Sequence, residues 1–154
     1  MKEVVNKLID KNKTISTMES CTGGCLASEI TNQENSSKVL KFSAITYSNE
    51  YKIKMGVDKK IIDTYSVYSI ETAHSMASAI SNYTNSSYGI GITGKLNKQD
   101  EENPYGDNST VYVAILDKEN NKYYDLKILA TEKTRKENKM LVVNEVINKL
   151  HEIL

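Results

Sequence analysis

The spacing of apolar residues switches repeatedly along this chain between the period of a helix and that of a strand. Val4, Val5 and Leu8 recur at helical spacing, whereas 14–18 is a short run of strand-forming residues. The pattern predicts helices over 2–11, from about 25 to about 32, and over 49–55, 58–65, 69–83 and 140–154. It predicts strands over 14–18, 42–47, 88–93, 111–116 and 123–130. Such alternation predicts an α/β layer fold.

The last two predicted strands are separated only by a short polar stretch. Residues 118–121 read Lys-Glu-Asn-Asn between 111–116 and 123–130, which predicts an antiparallel hairpin near the end of the chain. The 154 residues suffice for one domain with a real core and are too few for two ordinary domains. We therefore predict a single domain over 1–154.

Charge and composition exclude several classes of function. Twenty basic and twenty acidic residues give a net charge of zero, which argues against nucleic acid or an anionic membrane as a partner. No apolar run approaches the ~20 residues of a membrane span.

The first residues begin an amphipathic helix and do not resemble a signal peptide, so we expect a cytoplasmic location. Cys21 and Cys25 are expected to be free thiols, and with His74 and His151 they lack the spacing of a metal site.

The stretch "MESCTGGCLASEI", residues 18–30, links a predicted strand to a predicted helix through an unusual turn. Ligands of α/β folds gather beyond the carboxyl ends of strands, and free N–H groups at a helix start attract anions or a developing oxyanion. Gly23 and Gly24 would let a ligand approach the backbone closely. The turn matches neither the phosphate loop nor the dinucleotide fingerprint. A plain helix cap at Ser20, without chemistry, is the competing interpretation.

A serine nucleophile needs a base, and neither histidine is placed to serve as one. His74 falls inside a predicted helix and His151 near the C-terminus. The other candidate is a lysine whose pKa is lowered by its surroundings. The stretch "TYSNEYKIKMG", residues 46–56, supplies Lys52 and Lys54 directly after the second strand. Parallel neighbouring strands would bring this point close to Ser20, although the pattern alone does not choose between the two lysines.

Both stretches resemble one known family. Residues 17–24 are similar to the Ala-Glu-Ser-Cys-Thr-Gly-Gly signature of the CinA C-terminal domain family, and 46–52 resemble its Thr-Tyr-Ser-Asn-Glu-x-Lys segment. The resemblance continues in order over nearly the whole chain, through 67–73, 91–94, 110–114 and the basic pair Arg135 and Lys139. The family includes nicotinamide-nucleotide amidohydrolases, which deamidate nicotinamide mononucleotide.

The resemblance implies a three-layer α/β/α sandwich with a mostly parallel sheet, assembled as a homodimer. It implies that Ser20 attacks the carboxamide carbon, that Lys52 is its base, and that Tyr47 lies beside them. It also implies that a small-molecule nucleotide is the substrate and that neither a cofactor nor a metal is required. The residues that would contact the substrate are Cys21, Thr22, Gly23, Gly24, Thr93, Gly94 and Arg135.

The chain departs from the family pattern over 94–110. Where the family continues Ile-Ala-Gly-Pro after Thr-Gly, this sequence reads Lys-Leu-Asn-Lys-Gln over 95–99, and three residues are inserted before Thr110. Residues 95–103 are charged and offer no apolar anchor, which predicts a mobile loop and slow turnover. Three hypotheses follow: an amidohydrolase acting on nicotinamide mononucleotide, a protein that binds a nucleotide or other small ligand without hydrolysis, and an amidase for a different amide.

Overall fold

The computed structural model describes residues 1–98 and 100–154. Within them, no helix combines the length and the apolar character that a membrane crossing requires. The helices and strands follow one another as α1 (Lys2–Asp10), β1 (Ile15–Glu19), α2 (Cys25–Thr31), a 3-10 turn (Ser36–Lys38), β2 (Leu40–Ile45), α3 (Asn49–Lys54), α4 (Lys59–Tyr65), α5 (Ile70–Thr84), β3 (Tyr88–Gly94), β4 (Thr110–Asp117), β5 (Lys122–Leu129) and α6 (Arg135–Ile153).

The five strands form one sheet in the order β2-β1-β3-β4-β5. β1 runs parallel to both β2 and β3, while β4 is antiparallel to both β3 and β5. The predicted α/β fold and its C-terminal hairpin are confirmed. The sheet is evenly mixed, and not mostly parallel, because the described residues between β3 and β4 form no crossover helix, so β4 returns in the opposite direction.

Helices cover both faces of the sheet and complete three layers. One face packs against α1, α2 and α6 around a core that includes Ile90, Ile92 and Val113. The other face packs against α5. Two glycines of β3 permit this second contact, because a Cβ on Gly89 or Gly91 would lie 2.1 or 2.2 Å from a carbonyl oxygen of α5. The glycines in the "YGIG" segment of β3 are therefore explained by the close approach of α5 to the sheet.

The last helix begins five residues before the predicted start at residue 140. Thr134 caps it through a capping box, in which the Thr134 hydroxyl accepts from Glu137 N–H and the Glu137 carboxylate accepts from Thr134 N–H. The apolar period begins only at residue 140, so the polar first turn gave no periodic signal. As a result Arg135 is the first residue of α6 and not part of a preceding loop.

Candidate active site

Ser20 lies directly after β1, at the carboxyl edge of the sheet. Its N–H donates to the carbonyl of Ile92 on β3 over 3.0 Å. On the other side, Glu19 pairs with Ile45 of β2, and Thr46 N–H donates to the Glu19 carbonyl over 2.9 Å. Because β1 and β2 are parallel and end at the same level, the segment after β2 passes next to Ser20.

That segment leads directly into α3, which places Lys52 next to the turn that follows β1. The Ser48 hydroxyl caps α3 by accepting from Tyr51 N–H. Lys52 is 1% exposed, with its Nζ 3.1 Å from Ser20 Oγ and donating to the Thr46 carbonyl over 2.8 Å. Lys54 is exposed and pairs with Glu50 on the same helix. The structure therefore brings Lys52, and not Lys54, to Ser20.

Burial controls the protonation of both reactive side chains next to Ser20. It lowers the pKa of Lys52 to about 8, against weaker opposing effects of Cys21 and Asp100. A lysine with this pKa is partly unprotonated near neutral pH and can accept a proton. Burial also raises the pKa of the Cys21 thiol to about 12. Cys21 is consequently a thiol near neutral pH, and Ser20 is the better candidate for a nucleophile.

Glu19 is a buried carboxylate that the sequence analysis overlooked. It accepts hydrogen bonds from the N–H groups of Gly24, Leu26 and Ala27 at 2.9–3.2 Å. These are the N–H groups at the start of α2 that were expected to be open to a ligand. The row of free N–H groups was therefore wrongly predicted, since the chain's own carboxylate occupies most of it. The sequence did contain a signal for this contact, because the acidic residue Glu19 directly precedes the turn.

Two N–H groups of the turn remain available. Gly23 N–H donates to the Ser20 carbonyl and Cys25 N–H to the Thr22 carbonyl. In residues 1–98 and 100–154, neither Cys21 N–H nor Thr22 N–H donates to a backbone carbonyl. Cys21 and Thr22 are the first and second residues after the candidate nucleophile. Backbone N–H groups at such positions can stabilise the oxyanion of acyl transfer.

We expect Glu19→Ala to lower the free energy of unfolding by about 3 kcal/mol, since it removes a charge-assisted acceptor and leaves three N–H groups, one of them fully buried, without a partner. Urea denaturation measures the change. Glu34 is exposed, and Glu34→Ala should change stability by less than about 0.5 kcal/mol. An effect of Glu19→Ala no larger than that of this control would contradict the capping role.

Ser20 opens onto a cleft of about 890 Å³. Its walls come from the turn after β1, the segment after β2, the loop after β3 and the start of α6. The lining residues are Ser20, Cys21, Ile45, Tyr47, Ser48, Asn49, Tyr51, Tyr68, Gly94, Lys95, Leu96, Lys98, Asp100, Glu102, Asn103 and Arg135. Tyr47 is 64% exposed and its hydroxyl accepts from the Arg135 guanidinium over 2.9 Å. Its phenol thus pairs with Arg135 and not with Lys52.

The remaining predicted contact residues divide into two groups. Cys21 and Gly94 line the cleft, as does Arg135. Thr22 and Thr93 are fully buried, and the Thr93 hydroxyl donates to the Val67 carbonyl over 2.8 Å. The side chains of these two threonines therefore do not line the cleft, and their contact with a substrate stays a prediction. The sequence could not show this, because burial depends on the helices packed behind the strand ends.

Gly23 and Gly24 shape the turn without lining the cleft. Both have positive φ, 61° and 91°, which is the region that glycine adopts without strain. A Cβ on Gly23 would lie 3.2 Å from Lys139 Nζ, and one on Gly24 would lie 3.0 Å from the Ile45 side chain. The two glycines thus admit neighbouring side chains, with the Lys139 ammonium close to the turn.

The loop after β3 lines the cleft and also packs into the hydrophobic core. Leu96 is 3% exposed and belongs to the main core, so the prediction that residues 95–103 lack an apolar anchor was wrong. The Lys95 ammonium donates to the Tyr105 carbonyl over 2.8 Å. Asn103 receives a hydrogen bond from Asn49 over 3.0 Å and donates to Asp100 over 3.0 Å. Gln99 lies outside the described residues.

Both histidines stand away from Ser20. His74 pairs with Asp125 and stacks on Tyr123, and His151 contacts Glu3. In the described part of the chain, no group of three histidine, cysteine or acidic side chains is placed to hold a metal ion. Lys52 is the only basic side chain hydrogen-bonded to Ser20 among those residues.

Fold and site together define a three-layer α/β/α protein with a serine–lysine pair at the carboxyl edge of its sheet. The chain belongs to the CinA C-terminal domain family, whose family model matches residues 1–154. It is 44% identical over 96 residues to a competence-damage inducible protein of Thermoanaerobacter sp. (strain X514), and 43% identical over 119 residues to one of Clostridium novyi (strain NT). The matched segments cover 61% and 75% of this chain and 23% and 28% of those relatives.

The chain thus spans about a quarter of the length of the curated relatives that it matches. Among solved structures, it is similar to a competence-damaged protein (CinA) superfamily protein from Klebsiella pneumoniae, with a TM-score of 0.89 and 21% identity. That similarity covers 98% of this chain and 92% of the other, and it shows a shared fold.

Proposed function

We propose that this chain is an amidohydrolase that converts nicotinamide mononucleotide to nicotinate mononucleotide and ammonia. The observation that carries the proposal is the 3.1 Å approach of the buried Lys52 Nζ to Ser20 Oγ at the mouth of the cleft. A serine next to an amine of lowered pKa is an arrangement suited to nucleophilic attack on an amide. The substrate is taken from the family resemblance, and the charges of the cleft are compatible with it.

In the first half of the reaction, the free amine of Lys52 accepts the Ser20 hydroxyl proton as Oγ bonds to the carboxamide carbon. Negative charge then develops on the carboxamide oxygen, where the N–H groups of Cys21 and Thr22 can donate to it. Collapse of the tetrahedral intermediate breaks the C–N bond. The Lys52 ammonium returns the proton to the leaving nitrogen, so ammonia departs and an acyl ester remains on Ser20.

In the second half, water replaces the substrate nitrogen. Lys52, again unprotonated, accepts a proton from water as the water oxygen attacks the ester carbonyl. Collapse breaks the bond to Ser20 Oγ, which takes back the proton from Lys52, and the carboxylic acid product leaves. The nucleotide phosphate would meet Arg135, which lines the cleft. The homodimer implied by the resemblance and the expected cytoplasmic location both belong to this proposal.

A second candidate is a protein that binds a nucleotide in this cleft without hydrolysing it. The observation in its favour is that part of the cleft wall is formed by loop residues that depart from the family pattern, which are Lys95, Leu96, Lys98, Asp100, Glu102 and Asn103. A wall of a different shape can bind the nucleotide and still hold the carboxamide too far from Ser20 for reaction.

Ammonia release separates the two candidates. We expect the purified chain to release one ammonia for each nicotinate mononucleotide formed, together with an upward shift of its thermal midpoint in the presence of nicotinamide mononucleotide. A thermal shift without ammonia would favour the non-hydrolysing candidate. The absence of both at millimolar ligand would contradict the nicotinamide-nucleotide proposal, and ammonia from a different amide would identify a different amidase.

A further inference from the structure

The loop that departs from the family pattern places an acidic side chain in the cleft wall. Asp100 lines the same cleft as Ser20, together with the aromatic rings of Tyr47, Tyr51 and Tyr68. Three groups hold its carboxylate in place. The Tyr68 hydroxyl and the Asn103 amide donate to Oδ2, and Glu102 N–H donates to Oδ1 over 3.1 Å. A side chain fixed by three donors is positioned to recognise a ligand.

Within the described residues, the Asp100 carboxylate forms no ion pair with a lysine, arginine or histidine, although the Lys95 ammonium lies 5.0 Å from the centroid of the Tyr68 ring beside it. The hydrogen bond from Tyr68 is the main cause that holds the pKa of the Asp100 carboxyl below its ordinary value, so the group is ionised near neutral pH. Its charge also acts on Lys52, whose pKa it raises slightly, which places Asp100 within electrostatic reach of the serine–lysine pair.

The cleft is lined by basic and acidic side chains, which are Arg135, Lys95, Lys98, Asp100 and Glu102. Arg135 contacts Tyr47, whereas Asp100 contacts Tyr68, and the two form no ion pair with each other. A ligand that fits both side chains has an anionic group for Arg135 and a cationic group for Asp100. A pyridinium ring substituted at nitrogen meets the second requirement, because its positive charge is permanent and its faces are apolar.

We propose that Asp100 selects a cationic pyridinium ring over a neutral aromatic ring at the Ser20 site. This inference rests on the proposed function and assigns a specificity residue to it. The ring charge is present in the substrate and in the transition state alike, so Asp100 should act on binding in general. Its loss should therefore raise KM and leave kcat unchanged.

The test compares two ligands that differ only in ring charge. One is nicotinamide mononucleotide, and the other is benzamide riboside 5′-monophosphate, in which carbon replaces the ring nitrogen. For the native chain we expect KM to be at least about tenfold lower for the cationic ligand, the size of effect that one partly screened charge pair produces. Asp100→Asn should remove this preference by raising KM for nicotinamide mononucleotide about tenfold. KM for the neutral ligand should stay within about twofold, which also shows that the variant is folded.

Glu101→Gln is the matched control, because Glu101 is exposed, lies next to Asp100 and does not line the cleft. It removes the same charge and should keep the preference for the cationic ring. An equal rise of KM for both ligands in Asp100→Asn would show that Asp100 binds the ribose or supports the loop, and would overturn the proposal. So would a native chain that does not distinguish the two ligands.

Calorimetric Kd values for the same ligands keep this inference separate from the proposed function. Tighter binding of the cationic ligand without ammonia release supports the role of Asp100 and contradicts the amidohydrolase. Ammonia release without a preference for the cationic ring supports the amidohydrolase and contradicts the role of Asp100. Failure of both ligands to bind at millimolar concentration contradicts both proposals.

Discussion

Ser20→Ala is expected to reduce ammonia release from nicotinamide mononucleotide at least about a thousandfold, the scale on which removal of a nucleophile acts. The variant has no oxygen to form the acyl ester, and the thiol of the adjacent Cys21 is held protonated by a pKa of about 12. Steady-state ammonia release, with the native chain as reference, measures the loss.

Binding should survive the same substitution. The Ser20 hydroxyl is small, and the charges of Arg135 and Asp100 are untouched, so the Kd for nicotinamide mononucleotide should change by less than about threefold. Ser37→Ala alters an exposed serine far from β1 in sequence and should retain full activity. Ammonia release by Ser20→Ala within about tenfold of the native rate would exclude Ser20 as the nucleophile.

Lys52→Met is expected to lower kcat by a similarly large factor, because no other base is hydrogen-bonded to Ser20 in the described residues. Methionine approximates the length of the lysine chain and carries no amine. Burial of the charged form opposes folding, as the lowered pKa of Lys52 shows, so the variant's thermal midpoint should be no lower than that of the native chain. Loss of activity then reflects lost chemistry and not unfolding.

The native pH profile provides an independent measure of the same residue. The base is the free amine, and its pKa in the ligand-free protein is lowered to about 8, so kcat/KM should rise tenfold per pH unit below that value and level off above it. At pH 7.5 about a quarter of the amine is free, compared with about one part in a thousand for an unperturbed lysine.

Lys54→Met is the matched control for Lys52→Met, since Lys54 lies two residues away on the same helix and faces solvent. It should leave both the rate and the pH profile unchanged. A native profile that keeps rising past pH 10, or a loss of activity in Lys54→Met instead of Lys52→Met, would contradict the assignment of Lys52 as the base.

Local patterns predicted most elements of the fold because the forces that form them are local. Apolar periodicity located the five strands and all but one of the helix starts within a few residues. The exception was α6, which begins at Arg135 through the polar capping box of Thr134 and Glu137, where no apolar residue marks the start. Likewise, the direction of β4 depended on the connection after β3, whose described residues form no crossover helix, and β4 is therefore antiparallel to β3.

The candidate site was only partly predictable. Ser20 and Lys52 follow neighbouring strands, and parallel pairing of β1 and β2 was sufficient to bring them together. The sequence did not reveal that Glu19 folds back onto Gly24, Leu26 and Ala27, because a side chain's choice of partner depends on the path of the turn. For the same reason, Thr93 was expected in the cleft although its hydroxyl points to Val67.

By itself the sequence determined the family, the layered α/β fold and the serine–lysine pair, since these depend on short motifs and on periodicities within single elements. Only the tertiary structure decided which N–H groups stay open, that Lys52 is buried enough to lose part of its proton affinity, and that Leu96 anchors the unusual loop. It also decided that Asp100 meets Tyr68 in the cleft wall. Burial and long-range contacts arise from residues far apart in the chain, and no local pattern encodes them.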